Sequence, residues 1–433
     1  MKHRTLVFIT VLVCMIPLQA QNRANGYYKD IFMDSGIMLT SYVDLPVTEL
    51  LGLSMETFVS SPHSYTEKYS FTAVDTLRQT ELIAGGPMDE NGILLYPDGQ
   101  PRFRMVYMNG GRAAGHAKSL GEDGRKAYQD FVQAGGSYLG SCAGMFIASK
   151  ANMSDNKTLR NDGLYFGLWP GYARNTDLDQ SWTAIDFVNK SPLLKHFKFE
   201  GRTRIDSVRH NGGCYADLET APKGTEVLAV YNTEGRKLKR NINGKPCIVA
   251  YKDSEKSGRV VLCGSHPERA EEDQNLYLMA SMVSYALDGN GGPVLKHILT
   301  PGDTLQMCAR THDGDPSHTC IGDRQYHHFK LEVPKGLTQI AITLEGYLGY
   351  KDFDLYLFAG RDPYVKAGSA SWSSIARGVN KTLIIKDVSP GTYYISVFCA
   401  TTVDSAMGKY GVEYSGRTDV LNGVPYKISV SMD

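Results

Sequence analysis

Hydrophobic and polar positions follow two different periods along the chain. Between about residues 36 and 290, short apolar runs alternate with stretches whose apolar residues recur at helical spacing. Gly36–Val43 is the first predicted strand, and a predicted helix ends at Gly135. The helical positions in this part are Ala127, Tyr128, Phe131, Val132, Leu276, Met279, Val283 and Leu287. Strands separated by helices predict a mostly parallel sheet with both faces covered.

After a Gly-rich segment at residues 288–293, the apolar residues alternate with period two. The strands predicted there are 328–333, 353–358 and 392–398, separated by turns rich in Gly and Pro. Such short alternating strands indicate an antiparallel β-sandwich over residues 296–433. Asp352 and Asp354 are acids that could bind calcium, but alternating acids on a strand are more often a solvated face. We expect no metal.

The N-terminus has a basic start followed by an apolar run that is too short to cross a membrane. Residues 1–20 are therefore a predicted secretory signal, and the protein is expected to be secreted or periplasmic. A lipoprotein signal that uses Cys14 is the alternative, although the bulky Val13 before it argues against that reading. No later run reaches the length of a membrane span.

The charge composition limits the classes of partner that the chain is expected to bind. Lys and Arg number 46, as do Asp and Glu, so the formal net charge is zero and nucleic acid is not an expected partner.

Cys308 and Cys320 lie in a polar loop and are predicted to form a disulfide in an oxidising compartment. A zinc site that adds His312 and His318 is the alternative, but its spacing fits no standard finger.

The segment Gly135-Gly136-Ser137-Tyr138-Leu139-Gly140-Ser141-Cys142-Ala143-Gly144 carries the main candidate for chemistry. It predicts a buried strand, a sharp turn at Cys142 and a helix over Ala143–Lys150. The positive end of the helix dipole favours a thiolate at such a turn. Gly140 and Gly144 are expected to leave room for a substrate carbonyl. The alternative is a Gly-rich turn with a buried structural cysteine.

Two further strand ends supply possible partners for this thiol. Val260–Gly264 runs into His266-Pro267-Glu268, where residues two apart in extended chain point the same way, so Glu268 can lie beside the imidazole. Met105–Met108 runs into Gly110-Gly111, whose backbone N–H groups could receive an oxyanion. A solvated loop His and an ordinary strand-to-helix turn are the alternatives.

Together these motifs resemble the class I glutamine amidotransferase-like superfamily, and within it the family named after the N-terminal domain of some biotin–protein ligases. Phe166–Gly171 and His210–Gly213 agree with it, and the resemblance covers residues 35–290. It implies that Cys142 is the nucleophile, His266 the base and Glu268 the orienting acid. It also implies oxyanion-hole amides at Gly111 and Ala143. The expected fold is α/β, a flavodoxin-like three-layer sandwich at residues 21–290.

The C-terminal part resembles the pre-peptidase C-terminal domain of secreted bacterial enzymes. With the signal segment, this favours a secreted Cys-His-Glu hydrolase that cleaves an amide, peptide or related acyl bond in a small-molecule or peptide substrate, without a cofactor. A peptidase is the alternative among enzymes. A non-catalytic protein that contacts a cell-surface glycan or protein through the β-sandwich is the other alternative.

A true amidotransferase or biotin ligase is not expected. The sequence has no Gly-x-x-x-x-Gly-Lys-Ser/Thr phosphate loop, and its C-terminal part is too short for a nucleotide-binding catalytic domain.

The residues expected to line the substrate side are Trp169, Tyr172, Arg174 and Asn211. Loop packing is the alternative role for these residues.

Overall fold

The computed structural model describes residues 29–36, 45–51, 53, 55–58, 83, 92–96, 99–153, 158–195, 199–268, 270, 273–288, 295–308, 318–322, 325–363, 365–408, 411–417, 419–420 and 423–433. The predicted signal segment 1–20 lies outside these ranges, as does the loop that carries His312. The predicted strand Gly36–Val43 lies outside them beyond Gly36, and the linker 288–293 lies outside them beyond Asp288.

Strands and helices alternate in the first part of the chain. They are β1 (Lys29–Asp34), α1 (Pro46–Leu51), β2 (Met55–Phe58), β3 (Phe103–Met108), α2 (Ala113–Gln133), β4 (Ser137–Ser141), α3 (Ala143–Ala148), β5 (Ser149–Met153), β6 (Leu159–Arg160), β7 (Trp169–Asn175), β8 (Ser181–Phe187), a 3-10 turn (Pro192–Lys195), β9 (Arg204–His210), β10 (Cys214–Ala216), β11 (Glu226–Asn232), β12 (Pro246–Tyr251), β13 (Val260–Cys263) and α4 (Asp273–Asp288).

The largest sheet has nine strands within the described residues, in the order β2-β1-β3-β4-β13-β12-β11-β8-β9. Strands β2, β1, β3, β4 and β13 are parallel neighbours, whereas β13, β12, β11, β8 and β9 pair antiparallel. The prediction of a mostly parallel sheet is therefore wrong, because half of the sheet is antiparallel. The reason is visible at residues 252–259, which are described throughout, hold no helix and are too short for the crossover that a parallel pair requires.

Both faces of this sheet are covered, as the alternation of strands and helices predicts. Along β13, Val261 and Cys263 enter one hydrophobic cluster, and Val260 and Leu262 enter the cluster on the other face. Helix α4 packs on the first face, and α2 packs on the second through its buried Tyr128, Phe131 and Val132. A four-stranded sheet, β10-β7-β5-β6 within the described residues, follows α3.

The C-terminal part is made of strands, as its period of two predicts. They are β14 (His297–Leu299), β15 (Thr304–Met307), β16 (Tyr326–Val333), β17 (Gln339–Gly346), β18 (Leu355–Gly360), β19 (Trp372–Ser374), β20 (Lys381–Lys386), β21 (Gly391–Cys399), β22 (Val403–Gly408), β23 (Gly411–Gly416) and β24 (Tyr426–Met432). Two sheets, β14-β16-β21-β18-β19 and β15-β24-β17-β20, share one hydrophobic core. Apart from the parallel β14–β16 pair, their described strands pair antiparallel, which confirms the β-sandwich.

Polar contacts join the β-sandwich to the first part of the chain. The buried His328 on β16 places its Nε2 3.1 Å from the carbonyl oxygen of Leu51 at the end of α1. Gln325 Nε2 donates to Asp30 Oδ1 on β1 at 3.4 Å. The two parts are therefore docked through buried groups, while the predicted boundary between 21–290 and 296–433 stays a prediction.

Two smaller expectations can be compared with the structure. Cys308 is an exposed free thiol, and no disulfide joins it to Cys320, although both lie in the described part of the chain. The predicted disulfide is therefore not formed in this structure. No helix among the described residues is long and apolar enough to cross a membrane.

Candidate active site

Cys142 occupies a sharp turn between β4 and α3. Its φ of 48° lies in the left-handed region, where non-glycine residues are uncommon and cost about 1–3 kcal/mol. The Cys142 N–H donates to the carbonyl oxygen of Cys263 on β13 at 2.8 Å, and the Cys142 carbonyl accepts from Met145 and Phe146 of α3. Neighbouring strand and helix thus fix the strained conformation, as the sequence motif predicts.

The glycines around this turn serve the packing of α3. A Cβ on Gly144 would lie 2.1 Å from the carbonyl oxygen of Met108 on β3, and a Cβ on Gly140 would lie 2.5 Å from the Gly144 backbone. The structure therefore corrects their predicted role. They allow the start of α3 to sit directly on two parallel strands, which sets the position of Cys142.

His266 and Glu268 meet at the end of β13. The backbone N–H of His266 donates to the Arg209 carbonyl oxygen at 2.9 Å. The ring atom His266 Nδ1 lies 2.8 Å from Glu268 Oε1. Glu268 is 1% exposed. Because a carboxylate only accepts hydrogen bonds, Nδ1 carries the proton in this contact, and Nε2 is the nitrogen left to face a reacting group.

Cys142 acts electrostatically on the His266 imidazole, whose second nitrogen is Nε2. This atom is buried and makes no hydrogen bond of ordinary geometry within the described residues. Burial lowers the pKa of the imidazole, but Coulombic attraction to Cys142 and Glu268 and the hydrogen bond with Glu268 raise the pKa of His266 well above 6.5. The structure thus brings the three predicted catalytic side chains together.

The other buried cysteines of this region do not share that setting. Burial raises the pKa of Cys214 and Cys247 well above the ordinary thiol value and that of Cys263 to about 12. Cys214 lies against the turn at Cys142, where its Sγ donates to the Cys142 carbonyl oxygen at 3.8 Å. These three side chains are protonated thiols that pack the site.

Polar residues to which the sequence motifs assign no individual role surround the three side chains. Tyr107 Oη and Ser141 Oγ lie 2.9 Å apart beside the turn at Cys142. Burial and the charge of Glu268 raise the pKa of Tyr107 well above 10. Burial and the positive charges of His266 and Arg236 lower the pKa of His210 to about 3, so this ring is neutral. Tyr107 and Ser141 lie in apolar strands and look like core positions in the sequence.

A cavity of about 830 Å³ opens at Cys142. Of the predicted residues, Gly111 and Asn211 line it beside Cys142, and Gly111 has a φ of 137° that favours glycine. Gly110 and Ala143 are chain neighbours of lining residues and are buried. The oxyanion role of these three backbone groups stays a prediction.

The remaining residues predicted for the substrate side do not line the cavity at Cys142 within the described part of the chain. Trp169 is fully buried in the core, where its Nε1 donates to Thr225 Oγ1 at 2.9 Å. Tyr172 is half-buried and does not line the cavity at Cys142 within the described residues. Arg174 forms an ion pair with Asp217 at 2.8 Å and faces a neighbouring cavity. All three lie on β7, whose burial the sequence alone did not reveal.

A metal site would need several ligand side chains to converge within the described part of the chain. No group of three or more His, Cys, Asp or Glu side chains there is placed to hold a metal ion. Asp354 Oδ1 instead accepts from the Gly378 N–H at 2.6 Å, which gives this acid a structural contact within the β-sandwich.

Comparison with known proteins bears on the sequence resemblance. Residues 90–286 match the family model described as "Biotin-protein ligase, N terminal". A biotin–protein ligase of Schizosaccharomyces pombe is 27% identical over 182 residues, which cover 39% of this chain and 26% of that protein. The chain thus spans about a quarter of the length of this curated relative.

Solved structures of both predicted kinds also match. A glutamine amidotransferase has a TM-score of 0.29 and 16% identity, covering 43% of this chain and 80% of that chain. The pre-peptidase C-terminal domain of a collagenase from Bacillus anthracis has a TM-score of 0.19 and 14% identity, covering 32% of this chain and 97% of that chain. With TM-scores below 0.5, these two structures carry no argument about function.

These findings overturn one prediction and confirm another. The expected secreted hydrolase, distinct from any biotin ligase, is contradicted, because the matching family and the curated relative are both named for biotin–protein ligase. The sequence-based resemblance itself is confirmed: residues 90–286 of this chain are similar to the N-terminal family of the biotin–protein ligases.

Proposed function

We propose that this chain performs a ligase-related acyl transfer, in which Cys142 holds an acyl group as a thioester before an amine receives it. The observation that carries the proposal is the geometry at Cys142. The thiol stands on a strained strand–helix turn, beside an imidazole whose other nitrogen lies 2.8 Å from a buried carboxylate. A nucleophile, a base and a group that orients the base are the parts such chemistry needs.

In the first step, Cys142 Sγ attacks the carbonyl carbon of an acyl donor. The S–C bond forms, and the bond to the leaving group breaks. Backbone N–H groups of Gly111 and Ala143 are the proposed stabilisers of the oxyanion. The raised pKa of His266 supports its role as the acid that protonates the leaving group from Nε2.

In the second step, an acceptor amine attacks the thioester. The N–C bond forms, the C–S bond breaks, and His266 moves the amine proton to the departing sulfur. One acyl bond is exchanged for another, so the reaction closes without a nucleotide when the donor is an amide or an ester. A new bond between two substrates is the feature that relates this scheme to a ligase.

Trapping the thioester tests this proposal. Wild-type protein treated with p-nitrophenyl acetate should release a burst of nitrophenolate and carry one acetyl group on Cys142 by peptide mass spectrometry. Cys142→Ala should abolish the burst, and His266→Gln should slow it at least tenfold. Cys308→Ala removes an exposed thiol outside the site and is the matched control. Equal nitrophenolate release from wild type and Cys142→Ala would overturn the proposal.

The finer features of the fold belong to the same proposal. The parallel strands follow the order β2-β1-β3-β4-β13, which supports a flavodoxin-like arrangement with the site at the carboxyl ends of the strands. Separate hydrophobic clusters support the division into 21–290 and 296–433. Export through residues 1–20 is likewise proposed, and the N-terminal sequence of protein recovered from outside the cytoplasm tests it.

A further inference from the structure

A second cavity adjoins the one that contains Cys142. Its volume is about 850 Å³, and it shares Asp177 and Lys239 with the first cavity of about 830 Å³. Of these two cavities, only the first is lined by Cys142. An acyl transfer needs room for two substrates, and the molecule provides two cavities of similar size that meet at common residues.

The paired strands β7 and β10 separate the two cavities. In their antiparallel register, Cys214 faces Asn175 and Tyr215 faces Arg174. Asn175 lines the first cavity, whereas Arg174 and Tyr215 line the second. Since successive side chains of a strand point to opposite faces, this partition follows from the alternation along β7. Asp177, which lies just beyond the end of β7, lines both cavities.

The second cavity is rich in charge, and its internal ion pairs leave positive groups available. Arg174 pairs with Asp217 at 2.8 Å, and these side chains are 15% and 6% exposed. Arg240 pairs with Asp177 at 2.9 Å. The remaining charged side chains that line it are Lys239, Lys245 and Glu219, and neither lysine has an ion pair among the described residues. Positive side chains therefore outnumber negative ones in this cavity, and a ligand with an anionic group fits it.

We infer that the second cavity binds the acceptor, and that the acceptor is a small amine with a carboxylate or phosphate at its far end. This inference rests on the proposed acyl transfer. The anionic end lies toward Lys245, and the amine end reaches past Asp177 and Lys239 to the thioester on Cys142. The amine nitrogen then displaces sulfur, and its proton passes through His266 to the thiol.

The test uses full-length protein acetylated with p-nitrophenyl acetate and offered two amines. 4-Aminobutyrate carries the carboxylate, and butylamine is its neutral counterpart. The measurement is the fraction of acetyl groups that reach the amine rather than water. We expect at least a tenfold preference for 4-aminobutyrate in wild type, and loss of that preference in Lys245→Gln. Equal partition to both amines in wild type would overturn the inference.

Lys252→Gln is the matched control, because Lys245 and Lys252 are exposed lysines at opposite ends of β12 and only Lys245 lines the cavity. This control should keep the wild-type preference. A binding measurement separates this inference from the proposed function. Calorimetric titration of Cys142→Ser with 4-aminobutyrate should show binding that weakens at least tenfold when Lys245→Gln is added. Failure of the nitrophenolate burst removes the acyl transfer, whereas absence of this binding removes the acceptor site.

Discussion

Glu268 is the residue whose replacement best distinguishes orientation from packing. Its carboxylate is buried and lies 2.8 Å from His266 Nδ1. In Glu268→Gln an amide of the same size can donate where the carboxylate accepts, which favours the wrong tautomer of His266. We expect acylation by p-nitrophenyl acetate to slow by up to about 10⁴-fold, with a much smaller change in melting temperature. Glu255→Gln, at an exposed position, is the control, and unchanged acylation in Glu268→Gln would leave a Cys–His pair without an orienting acid.

The charge state of His266 gives a second prediction at this scale. Cys142 is a Coulombic partner that raises the imidazole pKa against the opposing effect of burial. Replacing the thiol in Cys142→Ser should therefore lower the pKa of His266, measured by NMR titration of the imidazole. Cys308→Ser should leave this pKa unchanged. An unchanged pKa in Cys142→Ser would mean that Glu268 alone sets it.

This raised pKa also fixes a pH dependence of stability. The folded pKa lies above the unfolded value of 6.5, so the contribution of His266 is complete below about pH 6.5 and is lost as pH rises through the folded pKa. The difference in unfolding free energy between wild type and His266→Gln should consequently be constant below about pH 6.5 and should fall as the pH rises above that value. Guanidinium denaturation of both proteins at each pH measures it.

The sequence allowed part of the site to be predicted residue by residue. Cys142, His266 and Glu268 each follow an apolar strand in a short motif, and parallel strands bring such ends to one edge of a sheet. Trp169 is expected on the substrate side from the sequence but is fully buried, because the motif alone does not reveal how deeply β7 packs into the core. Tyr107 was missed since an isolated Tyr in an apolar strand has the pattern of a core residue.

At the scale of elements, the contact between α3 and β3 is the feature most sensitive to side-chain size. In Gly144→Ala the new Cβ would lie 2.1 Å from the Met108 carbonyl oxygen, a backbone atom that cannot rotate away. The start of α3 must then move off the sheet. We expect a loss of about 1–3 kcal/mol in unfolding free energy and a slower acylation of Cys142.

Gly368→Ala provides the comparison for this change, because nothing lies within 4 Å of a Cβ there and the position does not require a left-handed backbone. Chemical denaturation and the nitrophenolate burst should be measured on both variants. Equal stability and equal acylation in the two would show that α3 tolerates displacement without moving the thiol.

Elements differed in how well their patterns predicted them. Helices α2 and α4 lie where the helical spacing places them, since long amphipathic segments carry a strong periodic signal. The antiparallel half of the large sheet was not predicted, because a buried strand shows the same apolar run whichever way its neighbour points. Strand β10 is three residues long and has too little sequence to carry a periodic signal.

At the scale of the whole molecule, His328 couples the β-sandwich to the first part of the chain. Its Nδ1 lies 2.8 Å from Ser396 Oγ and its Nε2 lies 3.1 Å from the Leu51 carbonyl oxygen. His328→Leu keeps the volume but leaves buried polar groups without this partner, at a cost of about 1–3 kcal/mol. We expect thermal unfolding to begin earlier and to separate into two transitions. His297→Leu, at an exposed position on β14, is the control.

Acid should reduce the difference in stability between wild type and His328→Leu. Burial lowers the pKa of His328 to about 4. In the unfolded chain this histidine binds a proton near pH 6.5, whereas in the folded protein it stays neutral until the pH approaches 4. The stability that depends on neutral His328 is therefore present above pH 6.5 and is lost as pH falls toward 4. The gap between wild type and His328→Leu should narrow over that range. A constant gap would place the coupling in other contacts, such as Gln325 with Asp30.

The presence of two cores could be predicted from the change of period, but their docking could not. Histidine and glutamine on a strand of period two read as solvent-facing residues. Only the placement of α1 and β1 against β16 reveals that His328 and Gln325 are buried between the two parts.

The hydrogen bond from the Cys142 N–H to the Cys263 carbonyl has a consequence for how the chain can be divided. Nucleophile and base come from adjacent hydrogen-bonded strands, so their separation is set by the strand spacing of about 4.8 Å and not by the residues that connect them. Opening the chain at the exposed Gly235, between β11 and β12, would leave β4 in one fragment and β13 in the other. Fragments that reassemble through the β4–β13 ladder would then restore the thiol and the imidazole to each other, which makes acylation of Cys142 a readout of split-protein complementation.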